Sequence, residues 1–268
     1  MYAPLSRNLY LPRLLPRVIR QVRWVSSSPR ETDLAEGNLA GTVVPHHRHL
    51  MLCTGTHQWP SHPEMAWPDR LFGKFIPVRR SLMKSGSPIL FSLTDMASKS
   101  EEGEDLMVFP DGIRLEGLKI SDVPRVEKFL SQPASVPMHE SLDGLQYSKL
   151  PGKHIFICTH GERDCRCGEK GGELHEALCN AVALENKAKG RSDIHIHRIS
   201  HIGGHKYAAN AILYPSGNWY GHLRADQAHQ VIQTLLGSHE LQDHWRGRIR
   251  LTKEEQISLS RENKSSLC

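Results

Sequence analysis

The chain has 268 residues and a formal net charge of +5, with 34 Lys and Arg against 29 Asp and Glu. Six arginines and no acidic residue lie in residues 1–30, so the remaining chain holds 28 basic and 29 acidic side chains, which argues against a nucleic-acid-binding surface. No apolar run approaches the length of a membrane helix, so we expect no membrane span.

The first 30 residues have the composition of a mitochondrial transit peptide, because they are rich in arginine, lack acids and end in a run of serines. On a helix, arginines and aliphatic residues fall on opposite sides: Arg13, Arg17, Arg20 and Arg23 against Leu14, Leu15, Val18, Ile19, Val22 and Val25. We therefore predict that residues 1–30 direct the protein to the mitochondrial matrix or intermembrane space.

Two segments recur after a shift of 105 residues. HLMLCT at residues 49–54 matches HIFICT at 154–159, and VFPDG at 108–112 matches LYPSG at 213–217. Because both matches share one offset, we infer two copies of one fold.

The second copy reads as a β-α-β unit followed by β-β-α, which is the order of the thioredoxin fold. Its pattern predicts strands at 154–158 and 194–199, a helix over 171–189, a hairpin, and a helix over 226–236. The middle of the first copy gives no clear pattern. We predict an α/β protein of two tandem thioredoxin-like domains, 45–132 and 150–237, joined by a linker near 131–152. A tail, 238–268, follows, and Thr252 and Glu255 in it have capping-box spacing.

Candidate ligands concentrate in two loops of the second copy. The first loop contains Cys158, Cys165 and Cys167, and the second contains His201 and His205, which are separated by Ile-Gly-Gly. Thiolates and imidazoles suit zinc, copper and iron-sulfur clusters. The spacing therefore predicts a metal site and leaves zinc and iron equally open.

The motifs CTHGERDCRCG and HIGGHKYAANAILYPSGNWYG resemble those of the sucrase/ferredoxin-like family, in particular its mitochondrial branch named for altered inheritance of mitochondria. The resemblance extends over residues 45–260. It implies a thioredoxin-like 2Fe-2S ferredoxin in the C-terminal domain, with Cys158, Cys167, His201 and His205 as cluster ligands. Because Cys165 lies two positions before Cys167, both thiols are candidates for the second thiolate ligand. We prefer Cys167 because Gly168 follows it.

The function that follows is single-electron transfer with unidentified redox partner proteins, with thiol redox homeostasis as a further role. This function is that of an electron carrier rather than of a substrate-specific enzyme. Two alternatives remain open: a structural zinc protein with the same four ligands, and a metal-free thiol oxidoreductase that uses Cys165 and Cys167. We expect His160 to support the site rather than ligate, and Cys179 to be a buried apolar residue.

Overall fold

The computed structural model describes residues 39–132, 138–190, 193–238 and 241–265. The proposed transit peptide, residues 1–30, and Cys268 lie outside the described residues. Among the helices of the described ranges, none combines the length and the apolarity needed to cross a bilayer.

The first copy supplies four strands and three helices. These are β1 (Arg48–Cys53), α1 (Pro63–Ala66), α2 (Leu71–Lys84), β2 (Ile89–Thr94), β3 (Glu104–Phe109), β4 (Ile113–Leu118) and α3 (Val123–Ser131). Its middle, which the sequence pattern left unassigned, therefore completes a β-α-β unit before the β-β-α unit.

The predicted linker contains two short elements, α4 (Met138–Ser141) and β5 (Tyr147–Lys149). Strand β5 pairs antiparallel with β4, so this segment extends the sheet of the first copy.

The second copy repeats the element order and confirms the strands and helices expected from its sequence. It comprises β6 (Lys153–Cys158), α5 (Cys165–Lys189), β7 (Ile194–Ile199), β8 (Ala211–Tyr214), β9 (Asn218–Tyr220) and α6 (Ala228–Leu235). Helix α5 begins at Cys165, six residues before the expected start, because Asp164 caps it. The earlier start places Cys165 and Cys167 inside the first turn of the helix.

The tail is an ordered part of the fold. It forms β10 (Trp245–Arg248), which pairs with β9, and α7 (Lys253–Ser265). The capping box at the start of α7 is confirmed: the Thr252 backbone N–H donates to the Glu255 carboxylate (2.8 Å), and the Glu255 N–H donates to the Thr252 hydroxyl (3.2 Å).

Within the described ranges the strands form one ten-stranded mixed sheet, in the order β10-β9-β8-β6-β7-β2-β1-β3-β4-β5. The pairs β1–β2 and β6–β7 are parallel, as a β-α-β crossover requires. The two copies meet at an antiparallel contact of β2 with β7, in which Thr94 pairs with Ile199. The two half-sheets thus lie in one compact unit, Gly37–Cys268.

The strands of each copy form one half of the sheet. Each half has its own outer core, and the two halves share an inner core. Because neighbouring side chains on a strand point to opposite faces, Leu50 and Leu52 join the core under the first-copy helices, whereas Met51 joins the inner core. In β6, Ile155 and Ile157 pack under α5, and Phe156 lies in the inner core. The inner core therefore holds the two copies together.

Equivalent positions of the two copies meet in this inner core. Phe109 stacks on Tyr214 with ring centroids 4.1 Å apart and planes inclined by 17°. His49 forms hydrogen bonds through both ring nitrogens, with the Tyr214 hydroxyl (3.1 Å) and the Ser92 hydroxyl (2.8 Å). The buried His49 ring thus has a hydrogen-bond partner at each of its nitrogens.

Buried imidazoles predict a sensitivity of the fold to acid. Burial lowers the pKa of His46 from 6.5 to about 4, and its Nε2 has no hydrogen-bond partner among the residues that the structure describes. Between these pH values the unfolded chain binds the proton and the folded chain does not, so the free energy of unfolding falls as the pH falls. Since one pKa unit corresponds to about 1.4 kcal/mol, His46 removes roughly 3 kcal/mol of stability by pH 4.

We expect His46→Phe to flatten the dependence of unfolding free energy on pH between 6.5 and 4, measured by urea denaturation at several pH values. His229→Gln is the matched control, because His229 lies exposed on α6. Equal slopes in the two variants would contradict the prediction.

Candidate metal centre

Two thiols and one imidazole meet where the strands of the second copy end. Cys158 closes β6, Cys167 lies in the first turn of α5, and His201 follows β7. One ligand atom from each lies within 4.8 Å of the others, and both thiols are buried. The part of the chain that the structure describes contains no other comparably close group of three His, Cys, Asp or Glu side chains.

The start of α5 places Cys167 in this group. The Asp164 carboxylate accepts a hydrogen bond from the Arg166 backbone N–H (3.1 Å) and pairs with the Arg166 side chain (2.8 Å), which holds the pKa of Asp164 at about 2. At Gly168 an added Cβ would lie 2.8 Å from the Gly161 Cα. Glycine after Cys167 therefore allows the preceding loop to fold back onto the helix.

His160 connects the two ligand-bearing loops. Its Nδ1 accepts from the His201 backbone N–H (3.2 Å), so its Nε2 carries the proton and donates to the Trp59 and Pro60 carbonyls (3.2 and 3.1 Å). Burial lowers the pKa of His160 and favours this neutral form. The ring thus has the supporting position that we expected from the sequence.

The first copy contributes to the centre through residues 59–62. The Trp59 ring packs edge-on against His160 at 5.8 Å, and its Nε1 donates to the Thr54 hydroxyl (3.0 Å). Arg163 donates to the Ser61 carbonyl (3.3 Å) and contacts the His62 ring. The loop of the second copy is therefore held against the first copy.

His205, the fourth candidate ligand, lies beside the group of three rather than within it. Its ring centroid is 5.6 Å from that of His201, and its half-exposed side chain places Nδ1 3.9 Å from an Asp164 carboxylate oxygen. Gly203 and Gly204 before it have φ of +86° and +72°. This left-handed backbone turns the chain between the two histidines.

Arg246 in the tail is a residue whose role the sequence reasoning missed. It is 2% exposed, and it donates to the Asn210 side-chain carbonyl (2.7 Å) and to the Thr42 hydroxyl and carbonyl (both 3.1 Å). Its guanidinium carbon lies 4.7 Å from the Tyr207 ring centroid. A Cβ at Gly204 would collide with this guanidinium, so the second glycine between the histidines permits the close approach. The only signal in the sequence is an arginine before Gly247.

The two buried thiols interact directly. A hydrogen bond from Cys167 lowers the pKa of Cys158 well below its usual value, with a further contribution from His201, and the same bond raises the pKa of Cys167. Burial lowers the pKa of Arg246 to about 10, and the neighbouring Tyr207 and Cys158 act in the opposite direction. Negative charge on sulfur is thus stabilised at the centre.

The other cysteines of the described chain lie apart from this group. Cys165 is exposed, so the structure brings Cys167 and not Cys165 to Cys158. Cys53, the repeat equivalent of Cys158, is buried, and burial raises its pKa to about 12. The expectation that Cys179 is buried was wrong: it lies on the exposed face of α5, with its Sγ 3.8 Å from the His175 ring nitrogens.

The donor set fits a thiophilic metal or an iron-sulfur cluster. Cys158 and Cys167 supply two buried sulfur ligands, and the buried Nδ1 of His201 has no hydrogen-bond partner within the described part of the chain. A buried polar atom without a partner costs free energy unless something binds it. Thiolate and imidazole are the ligand types of zinc, copper(I) and mixed-ligand iron-sulfur sites.

The sucrase/ferredoxin-like family model matches residues 39–247. The chain belongs to this family. The match includes both copies and extends to β10, so Arg246 and the two ligand loops all lie within the family region.

Curated relatives in the family include fungal proteins named altered inheritance of mitochondria protein 32. The one from Debaryomyces hansenii is 25% identical over 244 residues, or 80% of this chain and 86% of the relative. The one from Clavispora lusitaniae is 25% identical over 207 residues, 67% and 71% of the two chains. Actin patches distal protein 1 of Saccharomyces cerevisiae matches over 91 residues at 28% identity, 31% of this chain and 29% of that protein.

Among solved structures, the thioredoxin-like [2Fe-2S] ferredoxin from Aquifex aeolicus aligns with 37% of this chain and 93% of its own, at 14% identity and a TM-score of 0.31. At this level the backbones differ too much for residue roles to be transferred.

We expect Arg246→Met to lower the free energy of unfolding by roughly 2 kcal/mol, because the buried oxygens of Asn210 and Thr42 lose their donor. Arg248→Met is the matched control, since Arg248 lies on the same strand and is only half-buried. Urea denaturation measures both. A loss no larger than that of the control would show that the Arg246 hydrogen bonds contribute little.

Proposed function

We propose that this protein is a mitochondrial electron carrier that holds a 2Fe-2S cluster through Cys158, Cys167, His201 and His205. The cluster would belong to the second of two tandem thioredoxin-like units, and the first would serve as scaffold. The observation that carries the proposal is the close approach of two buried thiols and the half-buried His201, whose Nδ1 has no hydrogen-bond partner among the described residues.

The position of His205 favours a two-iron cluster over zinc. A structural zinc ion takes four ligands around one point, whereas a two-iron cluster takes two ligands on each iron. Three candidate atoms converge, and His205 stands to one side with its ring next to that of His201. The two thiols would then hold one iron, and the neighbouring imidazoles of His201 and His205 would hold the other.

The protein residues define the properties of such a centre. A bound cluster would supply one-electron chemistry, and imidazole in place of thiolate raises its potential, as in Rieske centres at about −150 to +300 mV. Burial of Cys158 and Cys167 excludes water from the sulfur side. His205 is half-exposed, so the histidine side is the side on which a redox partner protein can approach.

The mitochondrial assignment rests on two supports. Residues 1–30 have a transit-peptide composition, and several relatives are named for altered inheritance of mitochondria. Matrix and intermembrane space are both compatible with these supports. A contribution to thiol redox homeostasis fits the exposed thiol of Cys165 in either compartment.

The test is the visible spectrum and the iron and sulfide content of protein purified without oxygen. We expect about two irons and two sulfides in a reddish-brown protein. Substitution of any proposed ligand, Cys158→Ser, Cys167→Ser, His201→Ala or His205→Ala, should alter the spectrum or lower the iron content several-fold.

Matched controls are Cys165→Ser, in the same helical turn as Cys167, and His195→Ala, on strand β7. Both should retain the wild-type spectrum. Colourless protein with one zinc would favour the structural zinc alternative. Metal-free protein with disulfide reductase activity that is lost in Cys165→Ser would favour the thiol oxidoreductase.

A further inference from the structure

A cleft of about 480 Å³ opens beside His201, between the two copies of the fold. One wall is α2 of the first copy, and the opposite wall is formed by the His160–Arg163 loop and by Ser200. Its volume is in the range of small-molecule sites, about 300–1,000 Å³. A molecule in this cleft would therefore lie next to a proposed cluster ligand.

The cleft is strongly cationic. Arg79, Arg80 and Arg163 line it, and Glu64 is the only acidic residue among the described side chains of the lining. The described structure shows no ion pair or hydrogen bond for the side chains of Arg79 and Arg80, whereas Glu64 is paired with His62 at 3.2 Å. Among the described residues, no carboxylate is thus paired with the two guanidinium groups of Arg79 and Arg80 that line the cleft.

The cleft also has an apolar side. Phe72 and Phe91 stack with centroids 4.7 Å apart and form part of its lining together with Ile76. Met83 in the lining is 58% exposed, so it offers apolar surface to a bound molecule. Apolar walls with a few convergent charged groups are characteristic of ligand sites.

We propose that this cleft binds a small organic anion, with an apolar body against Phe72 and Ile76 and a carboxylate, phosphate or sulfonate group at Arg79 and Arg80. Guanidinium groups bind such anions in a bidentate geometry. Binding itself is independent of the proposed cluster. The redox consequence of binding rests on the proposed function. An anionic one-electron carrier bound in the cleft exchanges its electron with the proposed cluster on the His201 side.

The first test measures binding by calorimetry with 1-anilinonaphthalene-8-sulfonate, which has an apolar body and one anionic group. The comparison probe is N-phenyl-1-naphthylamine, which lacks the sulfonate. We expect the wild-type protein to prefer the sulfonate at least tenfold, and Arg79→Gln/Arg80→Gln to abolish most of this preference.

Lys187→Gln/Arg261→Gln is the matched control, because it removes two exposed charges from α5 and α7 and leaves the cleft unchanged. The control should bind both probes as the wild type does. Equal affinity of wild type and Arg79→Gln/Arg80→Gln for the sulfonate would overturn the proposal, whether or not a cluster is present.

The second test follows oxidation of the reduced protein by stopped flow. Ferricyanide, an anion, and tris(phenanthroline)cobalt(III), a cation, each accept one electron from the reduced cluster and become ferrocyanide and the cobalt(II) complex. We expect Arg79→Gln/Arg80→Gln to slow the ferricyanide reaction several-fold without slowing the cobalt reaction. Equal effects on both oxidants would refute electron exchange through the cleft. A protein without a redox chromophore would instead refute the proposed function, and the binding test would still decide on the cleft.

Discussion

The packing of one half-sheet against the other determines where the candidate ligands lie. Cys158 and Cys167 belong to the same buried inner core as Phe109 and Tyr214, because the face of β6 that carries Cys158 is the face turned towards the first copy. The loop of the second copy also rests on Trp59 through His160. The centre is therefore a product of both copies, although the three converging side chains come from the second.

Hydrogen bonds from buried polar side chains hold the loops around the centre in place. His160 joins the two ligand loops. Arg246 contacts Gly204 and donates to Thr42, which lies 204 positions before it in the chain. Buried polar groups of this kind are costly unless every member is paired, so they disfavour alternative packings. The tail is consequently part of the site rather than an appendage to it.

The two copies show how one fold accommodates different chemistry at the same position. Cys53 and Cys158 end equivalent strands, yet burial raises the pKa of Cys53 to about 12, whereas Cys167 and His201 lower that of Cys158. The first copy uses its equivalent loop, residues 54–62, to support His160 and Arg163. Its helix α2 then provides the cationic wall of the cleft, so the copy without the ligand set still shapes the surroundings of the proposed cluster.

The sequence by itself determined the repeat, the order of elements in the second copy, the capping box at Thr252 and the two loops that carry the ligands. These features depend on spacings of a few residues, or on a constant offset between two similar segments, and both can be read directly from the sequence. The tertiary structure decided the rest. It selected Cys167 over Cys165 for the buried group, exposed Cys179, brought Arg246 under Gly204 and joined the two copies in one sheet. These outcomes depend on which faces of the strands and helices pack together in three dimensions, and no local sequence pattern records that choice.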